Sequence, residues 1–213
     1  MNHPLPWPAW QRAPAPAALV AVLHAPGSAE LAHELVRAWA PAVPTAAMST
    51  MPVSGAGGAD EALEGIADRL GRAGLNVSHL VLAGVGGGEE TALQLAFGRA
   101  ALGCAGVVIC GDSLPPLLAL GGRPAAGRAK LRLVWAADDL LLCAEALGDL
   151  LRRLRVAGLD AQGAVVPRSN RPAPGVDGGP SLPSVRLGGA YLAELAAVAL
   201  DATNGSDPGK KGG

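Results

Sequence analysis

Short apolar runs alternate with longer amphipathic segments along most of the chain. The apolar runs have the length and the Ala, Leu and Val content of buried strands, and they cover residues 18–25, 45–52, 78–85, 106–110, 130–137 and 164–167. The amphipathic segments predict helices over residues 28–40, 59–72, 89–101, 138–156 and 190–200. Strands that alternate with helices form βαβ units, so we expect an α/β fold whose mostly parallel sheet is covered by helices on both faces.

The length of 213 residues suggests one domain. We expect it to span residues 15–203, after a Pro-rich leader over 1–14 and before a polar, disordered tail over 204–213. Residues 167–189 hold five Pro and five Gly and are too long for a simple connection between a strand and a helix. This segment is therefore predicted to be an exposed loop.

Charge and cysteine content exclude several classes of protein. The net charge is −1 with no basic stripe, which argues against nucleic acid as a partner. The first apolar stretch, residues 17–23, is too short to span a membrane and lacks the pattern of a signal peptide. The three cysteines are an odd number without metal-ligand spacing, which argues against a disulfide framework and a zinc site. We expect a cytoplasmic protein with no cofactor and no membrane insertion.

Residues 78–95 place a Gly-rich turn between an apolar strand and a helix. A dinucleotide site uses this arrangement with the pattern G-x-G-x-x-G, so that the backbone can approach a pyrophosphate. Counted from Gly84, the third glycine falls on Glu89, and Glu89 with Glu90 would bring two carboxylates to the phosphates. Asp112 could serve as the ribose-binding acid, so nucleotide binding stays open as an alternative.

The same turn has the spacing of a nucleophile elbow, G-x-S-x-G, with Gly86 in the place of the serine. The runs LVLAGVGGGEETALQLAF and LGCAGVVICGDSLPPL resemble the stretches LVGFSQGGALAL and LAGVVALSGYLP of the phospholipase/carboxylesterase branch of the α/β-hydrolases. The segment VLHAPGS is similar to that family's LHG-x-G, and LVWAADDLL is similar to LVHGTEDPVV. The resemblance spans about residues 18–200 and implies the three-layer fold of carboxylic-ester hydrolases.

The resemblance also implies where the catalytic groups would lie. It places the nucleophile at Gly86 and the triad acid at Asp139, and it implies oxyanion-hole donors at the N–H of Gly87, beside Gly88, and at Pro26, which has no N–H. The triad histidine follows the acid in this fold, but the last histidine of the chain is His79, which we expect on the surface or in a helix. Where the family carries that histidine, the chain offers Arg168, Ser169 and Asn170.

Most of these residues also have a structural explanation. Asp139 precedes a predicted helix, where a carboxylate is favoured by the helix dipole, and Asp138 could cap the same helix. His24 ends a buried strand and is expected to be a hydrogen-bonding structural group. Glycines 86–88 fit a turn with unusual backbone angles, and Cys110 fits a small buried hydrophobic residue.

The leading hypothesis is a degenerate hydrolase homologue, a binding or regulatory protein that keeps the cleft for a small apolar or ester-like ligand. The second is an active ester hydrolase that uses Cys110, Ser113 or Ser28 in a rearranged site. The third is a nucleotide-binding domain. The sequence is compatible with a homo-oligomer.

Overall fold

The computed structural model of the protein describes residues 15–54, 58–98, 101–112, 129–168 and 182–204. These residues contain one sheet with the strands β1 (Ala18–His24), β2 (Ala46–Pro52), β3 (Leu80–Val85), β4 (Gly106–Gly111), β5 (Lys130–Ala137) and β6 (Ala161–Pro167). Every neighbouring pair is parallel, in the order β2-β1-β3-β4-β5-β6. All strands therefore end at the same side of the sheet, here called the carboxyl edge, and begin at the opposite amino edge.

Helices cover both faces of the sheet. Their bounds are α1 (Ala29–Trp39), α2 (Gly58–Ala73), α3 (Glu89–Phe97), α4 (Leu140–Val156) and α5 (Leu182–Asn204). The buried side chains of α2, α3 and α4 form one hydrophobic cluster with one face of the sheet, and those of α1 and α5 form a second cluster with the other face. The predicted three-layer α/β fold with a parallel sheet is confirmed.

Strand β1 shows why its sequence is an unbroken apolar run. Leu19, Ala21 and Leu23 belong to the cluster under α2, α3 and α4, whereas Val20 and Val22 belong to the cluster under α1 and α5. Because successive side chains point to opposite faces, a strand between two helical layers must be apolar at every position. This is the pattern that predicted the strand.

Helix α5 begins at Leu182, so the prediction of a loop over residues 167–189 is wrong in its last part. Pro183 lies in the first turn of the helix, where a missing N–H costs no hydrogen bond. Two tertiary contacts hold this turn: the indole N–H of Trp39 donates to the Val185 carbonyl at 2.8 Å, and Gly188 and Gly189 pack against the same ring. Composition alone suggested a loop, but packing on Trp39 favours the helix.

Smaller corrections concern α3 and β6, whereas His79 lies in a short 3-10 helix (Val77–His79), one of the two environments expected for it. Helix α3 ends at Phe97, not at residue 101, because Gly98 adopts an extended backbone (ψ −174°). Strand β6 begins at Ala161, three residues before the predicted start. His79 is buried, with 6% of its surface exposed, and its Nδ1 accepts a hydrogen bond from the Asn76 N–H at 3.1 Å.

The predicted leader and all but the first residue of the predicted tail lie outside the described residues. Among the helices in the described ranges, none combines the length and the apolar composition needed to cross a membrane.

Candidate functional site

The turn between β3 and α3 consists of Gly86, Gly87 and Gly88, and it lies at the carboxyl edge of the sheet. Gly86 has φ +50° and Gly87 has φ +93°, both in the left-handed region that favours glycine. The Gly88 N–H donates to the Val85 carbonyl at 2.9 Å and closes the turn. The sharp strand-to-helix connection expected from the spacing is present.

Close packing requires glycine at two positions, Gly88 of this turn and Gly84 of β3. A Cβ atom on Gly88 would lie 2.1 Å from the carbonyl oxygen of Leu23, and one on Gly84 would lie 2.6 Å from the Cα atom of Glu89. Both neighbours are backbone atoms, which cannot rotate away. The backbone of α3 therefore approaches β1 and β3 so closely that positions 84 and 88 accept only glycine without a shift of the chain.

Ser28 fills the space in which a nucleophile at position 86 would place its side chain. A Cβ atom on Gly86 would lie 2.7 Å from both the Cβ and the Oγ atoms of Ser28, and 3.2 Å from Leu31. Ser28 directly precedes α1, yet its side chain does not cap that helix. Ser28, one of the predicted alternative nucleophiles, therefore lies at the elbow.

The two backbone donors nearest the turn are already hydrogen-bonded. The Gly87 N–H donates to Oε2 of Glu89 at 2.7 Å, and the Ala25 N–H donates to the Gly86 carbonyl at 3.1 Å. Pro26 follows Ala25 and has no N–H to offer. A carbonyl oxygen of a substrate would have to displace the Glu89 carboxylate to reach Gly87. The sequence predicts for Glu89 only a repulsion of phosphate and does not indicate this contact.

His24 and Cys110 are buried near the same edge. Nδ1 of His24 lies 2.7 Å from the Ala25 carbonyl, which can only accept, so this nitrogen carries the proton. Burial and, as the smaller cause, the negative charge of Glu89 together raise the pKa of the Cys110 thiol to about 12. The thiol is therefore protonated at neutral pH, as fits the predicted small buried residue.

Asp139 caps helix α4, which confirms the structural role predicted for it. Its Oδ1 accepts a hydrogen bond from the Leu142 N–H at 3.0 Å, and the residue is exposed. Gly86 follows β3 and Asp139 follows β5, so both lie at the carboxyl edge with β4 between their strands. Asp138 does not cap the helix and pairs instead with Arg168.

Arg168 joins the ends of three strands, and we call its contacts the Arg168 corner. Its guanidinium donates to Oδ2 of Asp138 at 3.2 Å and to the Asp112 carbonyl at 3.1 Å. The same carbonyl accepts the indole N–H of Trp135 at 3.2 Å. A guanidinium only donates hydrogen bonds and stays protonated, so Arg168 cannot act as the base that the family's histidine provides.

Three other predicted candidates, Ser113, Ser169 and Asn170, lie outside the described residues. Within the described ranges, no three His, Cys, Asp or Glu side chains are grouped closely enough to hold a metal ion.

Comparison with known proteins gives a consistent result for the fold. No family model and no curated protein matches the chain. Among solved structures, that of YahD with malic acid is similar at a TM-score of 0.56 and 15% identity, over 84% of this chain and 93% of that one. Esterase PE8 is similar at a TM-score of 0.56 and 18% identity, over 85% and 94%.

A dienelactone hydrolase-like promiscuous phosphotriesterase from metagenomic libraries is similar at a TM-score of 0.54 and 18% identity, over 90% of this chain and 89% of that one. Each of these three similarities covers at least 84% of this chain. Together with the elbow turn at the end of β3, they show that the chain has the α/β-hydrolase fold.

Proposed function

We propose that this protein is a non-hydrolytic homologue of the phospholipase/carboxylesterase-like α/β-hydrolases, which binds a small ligand at the carboxyl edge. The observation that carries the proposal is the elbow itself. Its backbone and its packed glycines are present, but the nucleophile position is Gly86 and the side chain of Ser28 fills the space above it. The turn thus keeps the architecture without the reactive group.

Each step of ester hydrolysis by a Ser-His-Asp triad lacks a participant. Gly86 has no side chain to attack a carbonyl, the chain has no histidine after His79, and Asp139 is engaged as a helix cap. Loss of nucleophile and base together costs about 10⁶ in rate in subtilisin, which we use only as a scale. Pro26 lacks one of the two oxyanion-hole N–H donors, and the loss of one such donor costs ~10²–10³ in rate.

The carboxyl edge is the place where open α/β sheets bind ligands. The fold neighbours include an esterase and a phosphotriesterase, which supports a small apolar or ester-like ligand class for this chain. The three cysteines are all free, which supports a cytoplasmic location. We propose that nucleic acid is not a partner of this protein. The fold is compatible with a homo-oligomer.

Hydrolysis of p-nitrophenyl acetate and butyrate by the purified full chain tests the proposal. We expect rates no higher than those of a control protein of similar size and surface charge. Saturable turnover above that control would contradict the proposal.

A rearranged ester hydrolase with Ser28 as nucleophile is the second candidate, since the Ser28 hydroxyl lies at the elbow. If turnover is found, Ser28→Ala abolishes it under this second candidate, whereas Cys110→Ala leaves it unchanged. The reverse pattern would point to Cys110, whose raised pKa disfavours the thiolate. The nucleotide-binding alternative is disfavoured, because the Glu89 carboxylate accepts the Gly87 N–H that a phosphate would need.

A further inference from the structure

Glu89 folds back on the turn that precedes its own helix. It is the first residue of α3, and its carboxylate accepts the Gly87 N–H two residues earlier at 2.7 Å. The next residue, Glu90, has the opposite arrangement: it is exposed, and its carboxylate accepts only the Gln94 side-chain amide, at 3.2 Å. Two adjacent glutamates thus lie at one helix start, and one of them enters the elbow.

The Glu89 carboxylate lies where an incoming oxyanion would lie. The N–H of the residue after the nucleophile is the donor that this type of elbow offers to a negatively charged oxygen. Here that donor already has a charge-assisted hydrogen bond of short length. The negative charge of Glu89 also interacts with Cys110 at the end of β4, since it contributes to the raised pKa of that thiol.

No uncompensated positive charge offsets this carboxylate among the described residues that end the strands. Among these described strand-end residues the cation is Arg168, which is paired with Asp138 and lies 3.7 Å from a carboxylate oxygen of Asp112. An anionic ligand would therefore have to displace Glu89 and meet its charge at close range. An uncharged ligand does not meet this charge repulsion, and it displaces Glu89 only if it places an oxygen at the Gly87 N–H.

We propose that Glu89 is a specificity-determining residue that closes the elbow to carboxylates and other oxyanions, so that the carboxyl edge at this turn selects uncharged or cationic ligands. This inference rests on the proposed function, because it concerns which ligands the elbow of a binding protein accepts.

The test uses acetate and its uncharged isostere acetamide as probes of the full-length protein, with the Gly87 amide followed by two-dimensional NMR at constant ionic strength. In the wild type, neither probe should move the Gly87 signal saturably. In Glu89→Ala, acetate should bind at Gly87 with an affinity at least tenfold higher than in the wild type, and acetamide should not. Glu90→Ala is the matched control, because it removes a neighbouring carboxylate that does not contact the turn, and it should behave as the wild type.

Two results would overturn the proposal. One is acetate binding at Gly87 in the wild type as strong as in Glu89→Ala, and the other is a Glu89→Ala variant that gains no affinity for acetate. If Glu89→Ala does not fold, Glu89→Gln takes its place, because glutamine keeps an acceptor for Gly87 without the charge. It should still gain acetate affinity over the wild type, and no gain would overturn the proposal.

The result is independent of whether the protein hydrolyses esters. Turnover of p-nitrophenyl esters by the wild type would refute the proposed function and leave the acetate titration unaffected. Failure of the titration would refute the role of Glu89 and would leave the proposed function standing, because the absence of turnover rests on the missing nucleophile and base.

Discussion

One arginine joins two carboxylates near each edge of the sheet, and the two arrangements differ in burial. Toward the amino edge, Arg132 of β5 is 1% exposed and holds Glu194 of α5 at 2.6 and 3.0 Å and Asp160 at 3.1 Å. At the carboxyl edge, the Arg168 side chain is 43% exposed and holds Asp138 at 3.2 Å. Removing one partner of a buried pair is costly, whereas an exposed pair contributes little.

The difference in burial separates a region that contributes to stability from a region whose residues can change at little cost in stability. Arg132 ties α5 to the sheet and to the start of β6, so the amino edge is a structural anchor. The Arg168 corner joins strand ends that face solvent, so its residues are available for binding at little cost in stability. The elbow is the tightly packed part of the carboxyl edge, because its glycines contact backbone directly.

The largest effect is expected from Gly88→Ala, which tests whether the elbow is packed as rigidly as the amino edge. The new methyl group would collide with the backbone of Leu23, so the free energy of unfolding should fall by about 3 kcal/mol or more. The matched control is Gly71→Ala on α2, where no atom lies within 4 Å and a gain of about 0.5–1 kcal/mol is expected. Urea melts measure both, and equal midpoints for the two variants would contradict the packing described.

The comparison of the two arginines is tested directly by Arg132→Leu and Arg168→Leu. Arg132→Leu removes the buried guanidinium and leaves Lys130, at 3.8 and 3.9 Å, as the cation that Asp160 and Glu194 still share, so it should lower the free energy of unfolding by about 2 kcal/mol. Arg168→Leu should lower it by less than about 1 kcal/mol. Similar losses in urea melts of the two variants would show that burial does not separate the two sites.

Gly86→Ser tests whether the turn is strained for a residue with a side chain. Its φ of +50° and the 2.7 Å approach to Ser28 should together lower the free energy of unfolding by about 1–2 kcal/mol. Adding Ser28→Gly should recover the part that comes from the collision, with Ser28→Gly alone as control. A urea midpoint that rises on Gly86→Ser would mean that the backbone at this position is relaxed.

The smallest expected effect is on the free energy of unfolding as the pH is lowered. Hydrogen bonds from Arg132 hold the pKa of Glu194 below its ordinary value, so this carboxylate stabilises the fold above its unfolded pKa and the contribution is lost as the pH falls through the lower, folded pKa. Between about pH 6 and pH 3, the wild type should lose more stability than Arg132→Leu does. Arg168→Leu should follow the wild type, and a slope for Arg132→Leu as steep as the wild type's would contradict the assignment.

The strands and most helices follow from the sequence because burial between two layers leaves a visible pattern, as in residues 18–23. The start of α5 could not be predicted, since Pro183 and Gly188 suggest a loop until Trp39 is known to bond the Val185 carbonyl and to pack on Gly188. Spacing alone located the elbow at Gly86.

The side-chain contacts inside the elbow could not be predicted from the sequence. Ser28 reaches Gly86 only because the residue that precedes α1 packs against the elbow, and no pattern along the chain encodes that packing. Glu89 contacts Gly87 locally, two residues away, but its side-chain direction is not visible in the sequence. The helix start at Asp139, by contrast, was visible locally, because a cap depends on residues within one turn.

The most direct test of the central claim is the intact mass of the full chain after incubation with a fluorophosphonate, which reacts covalently with an activated serine. The absence of an activated serine at the elbow predicts an unchanged mass, in the wild type and in Gly86→Ser alike, because neither has a histidine to accept the serine proton. Stoichiometric labelling of the wild type, mapped to Ser28 or another serine, would show that the elbow is catalytic and would contradict the account.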